Sequence, residues 1–316
     1  MKMIRRELGV LFLSLPQTLA TLKRNFQDGD AMTQATGTSK AAEPKELQWD
    51  PNLIPPFPAI ALKALNLMSG TDTSLLELCN LIRSDPAFSI AVLKFANSPL
   101  VAFSKNVTSV MQASMLLGFR RLRSMLITIG LKAYLQGSFT PLMKLCWRHS
   151  LACAIIAERS AKWSSLDTDF AYTAGILHDI GQVALATMMP RAYADVMERG
   201  ADQPHDLLVV EQELCGIDHC QAGRALVIAW NLPDAFIEIT ACHHNSEAHT
   251  PGTASLVPPS CALADSLGFA VVPCRSSRSY ADLLAEFPEP ARKRFPADAK
   301  ELASEIATEI RMIESA

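Results

Sequence analysis

Five histidines and two aspartates in this sequence have the residue types and order of a site that binds a divalent metal. A single histidine on an apolar helix face is usually a hydrogen-bonded core residue. A group of them is harder to accommodate, because a buried polar group without a partner costs about 1–3 kcal/mol. One or two metal ions would satisfy several of them at once. The set is His149, His178, Asp179, His219, His243, His244 and Asp265.

The adjacent pair His178-Asp179 is the most informative part of this set. Neighbouring residues of a helix point about 100° apart, so both can serve one ion only near a helix end or break. Gly181 predicts such a break. His149 and Asp265 then complete the ligands of one ion, which we expect to be Fe, Mn, Zn or Mg. The other three histidines of the set hold a second ion or form the outer shell of the first.

The cysteines predict no thiolate metal site. They are scattered without a CxxC pair, and closely spaced pairs are what thiolate zinc sites need. Several fall on apolar helical stripes, which is typical of reduced core residues in a cytoplasmic protein. The eight are Cys79, Cys146, Cys153, Cys215, Cys220, Cys242, Cys261 and Cys274.

The elements that position these residues are predicted to be helices throughout. Asp85-Pro86 is an N-cap followed by a first-turn proline, and Pro141 opens another helix. Gly118 is a plausible C-terminal stop. No stretch alternates between apolar and polar residues in the manner of a strand. The sequence therefore predicts an all-α fold.

Two helical features have more than one interpretation. The arginines at positions 120, 121 and 123 either lie on a solvated face, which is the commoner case, or bind an anion or a partner. The C-terminal helix after Pro296 carries Leu302, Ile306, Ile310 and Ile313 along one side. That stripe packs either on the body of the protein or on another chain.

Composition excludes some classes of function. The 316 residues are 49% hydrophobic, and their net charge of −3 gives no overall field that would draw the chain onto nucleic acid. No run reaches the roughly 18–20 apolar residues that span a bilayer, and the first 20 residues are a poor match to a signal peptide. Residues 27–48 have the composition of a disordered linker. The folded part is predicted to start near Trp49, and either Met1 or Met32 is the true start.

Ordered motifs along the chain resemble the HDOD family, the HD-related output domains of bacteria. The first half has Leu53-Ile-Pro-Pro-Phe-Pro, Ile82-Arg-Ser-Asp-Pro, Lys94-Phe-Ala-Asn-Ser, Val107-Thr-Ser and Leu116-Leu-Gly-Phe-Arg-Arg-Leu. The second half has Trp147-Arg-His-Ser, Ala174-Gly-Ile-Leu-His-Asp-Ile-Gly, Asp218-His-Cys-Gln-Ala-Gly, Trp230-Asn-Leu-Pro and His243-His244. The resemblance covers about residues 50 to 270.

The resemblance implies a helical N-terminal part, residues 49–140, packed on an HD-like part, residues 141–272. A poorly ordered extension, 1–48, precedes this HDOD domain, and a helical tail, 273–316, follows it. The family is also associated with cytoplasmic signalling, in which a module without enzymatic activity regulates a protein partner by contact.

The related HD-GYP family implies a different function, the metal-dependent hydrolysis of cyclic di-GMP. Its ligand pattern is similar to the seven positions of the set described above. Here, however, Gln182 stands where that family has a lysine, and no GYP motif follows His243-His244. Two hypotheses result. The first is a regulatory HDOD protein with a retained metal pocket, and the alternative is a phosphohydrolase acting on a nucleotide or cyclic dinucleotide.

Overall fold

Several helices begin at the capping residues that the sequence contains. Asp85 accepts hydrogen bonds from two amides of the following turn, and Pro86 occupies the first helical position. Asp218 accepts a hydrogen bond from the amide of Gln221 at 2.8 Å. These carboxylates satisfy amides that have no partner inside the helix. The local sequence thus determines where these helices start.

The computed structural model describes residues 49–54, 56–66, 75–99, 101, 107–136, 140–202, 207–244, 252–272 and 278–315. The predicted extension 1–48 lies outside them. The described residues form helices and no strand, so the predicted all-α fold is confirmed. The α-helices are α1 (Ala59–Asn66), α2 (Leu75–Arg83), α3 (Pro86–Ala96), α4 (Val110–Gln136), α5 (Pro141–Trp163), α6 (Thr168–Leu177), α7 (Ile180–Met188), α8 (Pro190–Asp202), α9 (Leu207–Cys215), α10 (His219–Ala229), α11 (Ala235–Cys242), α12 (Val257–Ala264), α13 (Tyr280–Ala285), α14 (Glu289–Arg292) and α15 (Ala299–Ser315).

Helices α1 to α4 share an apolar core of their own. Leu78 of α2, Val92 of α3, and Leu122 and Leu126 of α4 are fully buried in it. Helix α4 is bent at Gly118, whose φ of 74° lies in the left-handed region that glycine adopts without strain. The predicted stop at this glycine is therefore a sharp bend between two helical segments.

Helix α5 is the centre of the second and larger core. Its residues Trp147, Leu151 and Ile155 are at most 1% exposed, and it packs against α6 on one side and α12 on another. A helix that is apolar on most of its surface is typical of such an interior position. His149 lies within this buried helix, so its imidazole is held among packed neighbours.

An aromatic cluster joins the N-terminal helices to the HD-like part. Phe57 stacks on Trp230 with the ring centres 5.4 Å apart, and Tyr134 meets Trp230 edge-on at 5.5 Å. Phe57 and Trp230 belong to two motifs that are far apart in the sequence. Aromatic contacts of this kind stabilise a packed interface by more than their buried area alone.

A buried ion pair also connects these parts and corrects one interpretation of the sequence. The guanidinium of Arg123 pairs with the carboxylate of Asp169 on α6, which also accepts a hydrogen bond from the hydroxyl of Ser124. Arg123 is only 7% exposed. The expectation of a solvated face is therefore wrong for this residue, because Asp169 supplies a partner inside the protein.

The C-terminal helix α15 packs on the body of the protein. Leu302, Ile306 and Ile310 are fully buried in the larger core. Arg159 of α5 binds two carboxylates of α15, those of Glu305 at 2.7 Å and Glu309 at 3.0 Å. Of the two alternatives for the apolar stripe, the structure has the one within the chain.

The helix break predicted at Gly181 lies two residues earlier. Helix α6 ends at Leu177 and α7 begins at Ile180, so His178 and Asp179 themselves form the junction. Gly181 lies inside α7, where a Cβ would come within 1.9 Å of the carbonyl oxygen of His219. The prediction of a glycine break is therefore wrong, and the glycine instead allows close packing of α7 on α10.

Within the described ranges, no helix has the length and apolar character required to cross a membrane.

Candidate metal centre

Residues of the predicted site come together from four different places in the fold. His149 lies in the middle of α5, and His178 and Asp179 form the junction between α6 and α7. His219 begins α10, while His243 and His244 follow α11 directly. Six of the seven predicted residues converge in this way. The exception is Asp265, which follows α12 and lies beside the cluster.

Four histidines of the cluster have the same orientation. In each, Nδ1 faces an oxygen atom outside the cluster. For His178 and His243 this is a backbone carbonyl, that of Gly175 at 2.7 Å and that of Thr240 at 3.2 Å. For His219 and His149 it is a carboxylate oxygen, of Glu211 at 2.6 Å and of Asp265 at 3.1 Å. A carbonyl or carboxylate oxygen only accepts, so Nδ1 of His178, His219 and His243 donates a hydrogen bond, whereas Nδ1 of His149 lies close to Asp265 without hydrogen-bond geometry. In the neutral ring, Nε2 of these three is then left with a lone pair.

These four Nε2 atoms face one another in pairs. The Nε2 atoms of His149 and His178 are 3.2 Å apart, and those of His219 and His243 are 3.3 Å apart. Two imidazole nitrogens bound to one zinc ion at about 2.0–2.1 Å are about 3.0–3.4 Å apart. The spacing of both pairs therefore matches the spacing that one metal ion imposes.

The carboxylate of Asp179 lies between the two histidine pairs. Its Oδ2 is 3.2 Å from Nε2 of His149 and 3.6 Å from Nε2 of His178. Its Oδ1 is 2.9 Å from Nε2 of His243 and 3.4 Å from Nε2 of His219. Each oxygen thus lies near one pair, so the carboxylate would be placed to serve two ions if both were bound.

A buried atom of Asp179 supports a cation in this place. Oδ1 is shielded from solvent and accepts no hydrogen bond of normal geometry, although His243 is close. Leaving a buried carboxylate oxygen unsatisfied is costly, and a divalent cation is the partner that such an atom lacks. The residues present therefore fit the metal that the sequence predicts.

Two groups of potential ligands result from this geometry. Asp179, His219, His243 and His244 form the first, and His244 is its exposed member. His149, His178 and Cys261 form the second. Asp265 belongs to neither group, since it contacts the outer nitrogen of His149 and its side chain is 27% exposed.

The electrostatics of the cluster keep Asp179 ionised but differ between its histidines. Burial opposes protonation of His149, His219 and His243, yet the neighbouring carboxylates outweigh it and raise the pKa of all three rings, so a metal ion would displace protons from them. Burial lowers the pKa of His178 to about 3, because the charged ring would lose its hydration. Burial opposes ionisation of Asp179, but the histidines around it outweigh that effect and hold its pKa well below the ordinary value. A neutral imidazole beside a carboxylate is the state in which both bind metal.

Two residues of the candidate centre, Glu211 and Cys261, were not predicted from the sequence. Glu211 is fully buried, and besides the ring of His219 it accepts hydrogen bonds from the amide of His219 at 2.8 Å and the hydroxyl of Tyr193 at 3.1 Å. Its acidic side chain within the apolar segment Leu207–Cys215 is a weak signal. Cys261 stands one helical turn before Asp265, but nothing in the spacing of the cysteines distinguishes it.

Comparison with known proteins identifies the family context of this site. The sequence model of the HDOD domain matches residues 54–246. An uncharacterised protein of Treponema pallidum (strain Nichols) is 26% identical over 194 residues, which are 61% of this chain. The match spans 38% of the length of that relative.

Solved structures share the fold. An HDOD domain protein from Geobacter sulfurreducens is 23% identical with a TM-score of 0.69, over 95% of this chain and 97% of its own. A candidate phosphohydrolase from Shewanella amazonensis SB2B is 21% identical with a TM-score of 0.63, over 84% of this chain and 96% of its own. At these identities the likeness concerns the helical fold alone.

Proposed function

The chain belongs to the HDOD family, and on that premise we propose that it is a signal-transduction module that binds a divalent metal and acts through contact with a protein partner. The observation that carries the metal part is the shared orientation of four imidazoles toward Asp179. Their lone pairs would repel one another across about 3 Å without a cation or a proton between them. A family name alone would not justify this step, because function depends on the site.

The protein-contact part of the proposal is supported by exposed apolar side chains. Seven large hydrophobic residues in the described part of the chain are exposed, and five of them lie between positions 53 and 116. We propose that these side chains contribute to a contiguous surface, because exposed apolar patches mark surfaces that bind another protein. The five are Leu53, Leu76, Ile90, Met115 and Leu116, with exposures between 47% and 67%.

A capture experiment from a bacterial lysate tests the protein-contact part. Purified tagged chain is expected to recover a stable partner, and Met115→Asp is expected to abolish the recovery. Val209→Asp changes an equally apolar, 51% exposed residue of α9 and serves as the matched control. His178→Ala is expected to leave recovery intact. Recovery that is unaffected by Met115→Asp would contradict this surface assignment.

Metal analysis of the purified protein tests the metal part. We expect Fe, Mn or Zn in the wild-type protein and its loss in His178→Ala and in Asp179→Asn. The second variant keeps the shape of the side chain but removes the bridging charge. A folded wild-type protein that takes up none of these ions from solution would refute the metal site.

A second candidate function is metal-dependent hydrolysis of a phosphoester, with a nucleotide or cyclic dinucleotide as substrate. The observation in its favour is Asp179, whose two oxygens face separate ligand pairs. When bound, two ions held by such a carboxylate polarise a phosphoryl group and lower the pKa of water. The imidazole of His244 is the exposed member of the cluster.

Gln182 argues against efficient hydrolysis, because it is a neutral side chain where the related enzymes carry a cation for phosphate. A generic phosphodiester assay with metal-loaded protein decides between the two candidates. Turnover that disappears in Asp179→Asn would establish the enzyme. Metal-loaded protein without turnover, which still recovers its partner, would establish the regulatory module.

A further inference from the structure

A buried thiol belongs to the candidate metal centre. Sγ of Cys261 is 3.6 Å from Nε2 of His149, on the side of the ring that faces the cluster. Ligand atoms of Cys261, His149 and His178 all lie within 4.8 Å of one another. Cys261 is 2% exposed and lies on α12, one turn before Asp265. Both residues therefore contact His149. Cys261 is close to Nε2, which faces the cluster, and Asp265 is close to Nδ1, which faces away from it.

The distances match those around one tetrahedral ion. With zinc–nitrogen bonds of about 2.0–2.1 Å and a zinc–sulfur bond of about 2.3 Å, a nitrogen and a sulfur ligand are about 3.6 Å apart. The observed Sγ–Nε2 distance at His149 is 3.6 Å. The Nε2 atoms of His149 and His178 are 3.2 Å apart, and Oδ2 of Asp179 is 3.2 Å from the first of them. Two histidines and one cysteine thus form a three-ligand group, and the carboxylate of Asp179 lies beside its two histidines.

The charges of this set also fit a divalent ion. The thiolate of Cys261 and the carboxylate of Asp179, which faces both halves of the centre, offset the charge of a divalent cation. Such compensation matters here because an isolated charge is very costly in a buried site. His149, His178, Asp179 and Cys261 are each at most 2% exposed.

We propose that Cys261 binds the metal through its thiolate and makes the His149–His178 half of the centre selective for zinc. This inference rests on the proposed metal-binding function and adds the identity of one ion and one ligand. Soft thiolate donors favour zinc over the hard ions Mg²⁺ and Mn²⁺. The other half, formed by Asp179, His219, His243 and His244, offers only nitrogen and oxygen donors. The two halves therefore differ in the metals that they accept.

Cobalt(II) provides the test, since a cobalt–thiolate bond produces a charge-transfer absorption band in the near ultraviolet. The full-length protein is stripped with a chelator and titrated with Co²⁺. We expect the band in the wild type and its loss in Cys261→Ser, along with zinc affinity at least tenfold weaker and Mn²⁺ affinity nearly unchanged.

Two other buried cysteines near the centre provide matched controls. Sγ of Cys153 is 3.9 Å from the carbonyl of Val257, and Sγ of Cys220 is 3.9 Å from Nδ1 of His243. Neither belongs to the two groups of converging ligands. Cys153→Ser and Cys220→Ser are therefore expected to keep the cobalt band. A band that persists in Cys261→Ser but disappears in Cys220→Ser would overturn the proposal.

X-ray absorption at the zinc edge of the wild-type protein needs no variant and remains decisive if Cys261→Ser fails to fold. We expect one sulfur neighbour at about 2.3 Å. Bound zinc with nitrogen and oxygen neighbours alone would overturn the role of Cys261 and leave the proposed metal site standing. Failure to bind any of Zn²⁺, Co²⁺ and Mn²⁺ would overturn both.

Discussion

The imidazoles of the candidate metal centre owe their orientation to oxygen atoms that lie outside it. Two of these oxygens are backbone carbonyls three residues earlier in the chain, at Gly175 and Thr240. These carbonyls belong to the last turns of α6 and α11, which His178 and His243 directly follow. The other two are carboxylates, from Glu211 and Asp265, and mutagenesis can remove these.

Glu211 is expected to position His219 for metal binding. Glu211→Gln preserves the size of the side chain but weakens the hydrogen bond from Nδ1 that holds the ring. Loss of such an outer partner typically reduces metal affinity about 10–100-fold. Competition titration with a chromophoric chelator measures this change. Glu213→Gln, at a 61% exposed side chain on the same helix, is the control; equal affinities of the two variants would contradict the role of Glu211.

The residue types of the candidate site were predictable because histidine and aspartate are common metal ligands. His178, Asp179 and His219 needed only their order in the sequence. Cys261 was not predictable, because a cysteine on an apolar helix is usually a core residue and its approach to His149 depends on how α12 packs on α5. Glu211 escaped for the same reason, since its partner lies at the start of another helix.

At the scale of helices, the centre depends on the close approach of α7 to α10. Gly181→Ala would place a methyl group 1.9 Å from the carbonyl oxygen of His219 and 2.6 Å from the amide nitrogen of Gly223. Both atoms are backbone, so the helices must separate. We expect destabilisation of about 1–3 kcal/mol or more and loss of metal, because His178, Asp179 and His219 lie at this contact.

Gly223→Ala is the matched control, because its Cβ would meet the side chain of Thr240 at 3.2 Å and the backbone of Gly181 at ordinary contact distances of 3.5 Å and 3.8 Å. Thermal unfolding of both variants with and without metal measures the effect. If Gly181→Ala were as stable as Gly223→Ala and bound metal equally well, the α7–α10 contact would not be what positions the ligands.

The ion pair between Arg123 and Asp169 holds α4 against α6. Arg123→Met leaves a carboxylate buried without its cation, which is expected to cost about 3–5 kcal/mol. The double variant Arg123→Met/Asp169→Leu removes both charges and is expected to recover most of that loss. Chemical denaturation of the two variants and the wild type measures it. A double variant no more stable than Arg123→Met would show that the pair is not the source of the effect.

Considered as a whole, the described residues of this chain pack around two apolar cores. Helical periodicity and caps were sufficient to predict the fold class and many helix starts, because these depend on neighbouring residues. The packing of α15 on α5 was left open, since an amphipathic stripe at Leu302 and Ile306 does not specify its partner. The helix break was predicted at Gly181, but it lies at His178-Asp179. In a sequence, a glycine that allows close packing cannot be told from one that ends a helix.

The junction of α4, α5 and α15 predicts a pH dependence of stability. Burial, followed by repulsion from Glu309, raises the pKa of the Glu158 carboxyl above its ordinary value, although Arg121, Lys162 and Arg159 oppose the shift. Below the ordinary value of 4.5 this carboxyl is protonated in both the folded and the unfolded states, and it carries no penalty. As the pH rises through the raised pKa, the folded protein must ionise a disfavoured group, and stability is lost.

Glu158→Gln removes this penalty. The variant is therefore expected to melt on the order of 1–3 °C higher than wild type at pH 7.5 or above, and the difference should shrink to zero near pH 4. Melting curves between pH 4 and pH 8 measure it. Glu301→Gln removes an exposed carboxyl of α15 and is the control for lost charge alone. If both variants changed the melting temperature equally at every pH, the burial of Glu158 would not explain the effect. A gain confined to Glu158→Gln at high pH would show that the carboxyl of Glu158 is buried in solution, as it is here at the junction of α4, α5 and α15.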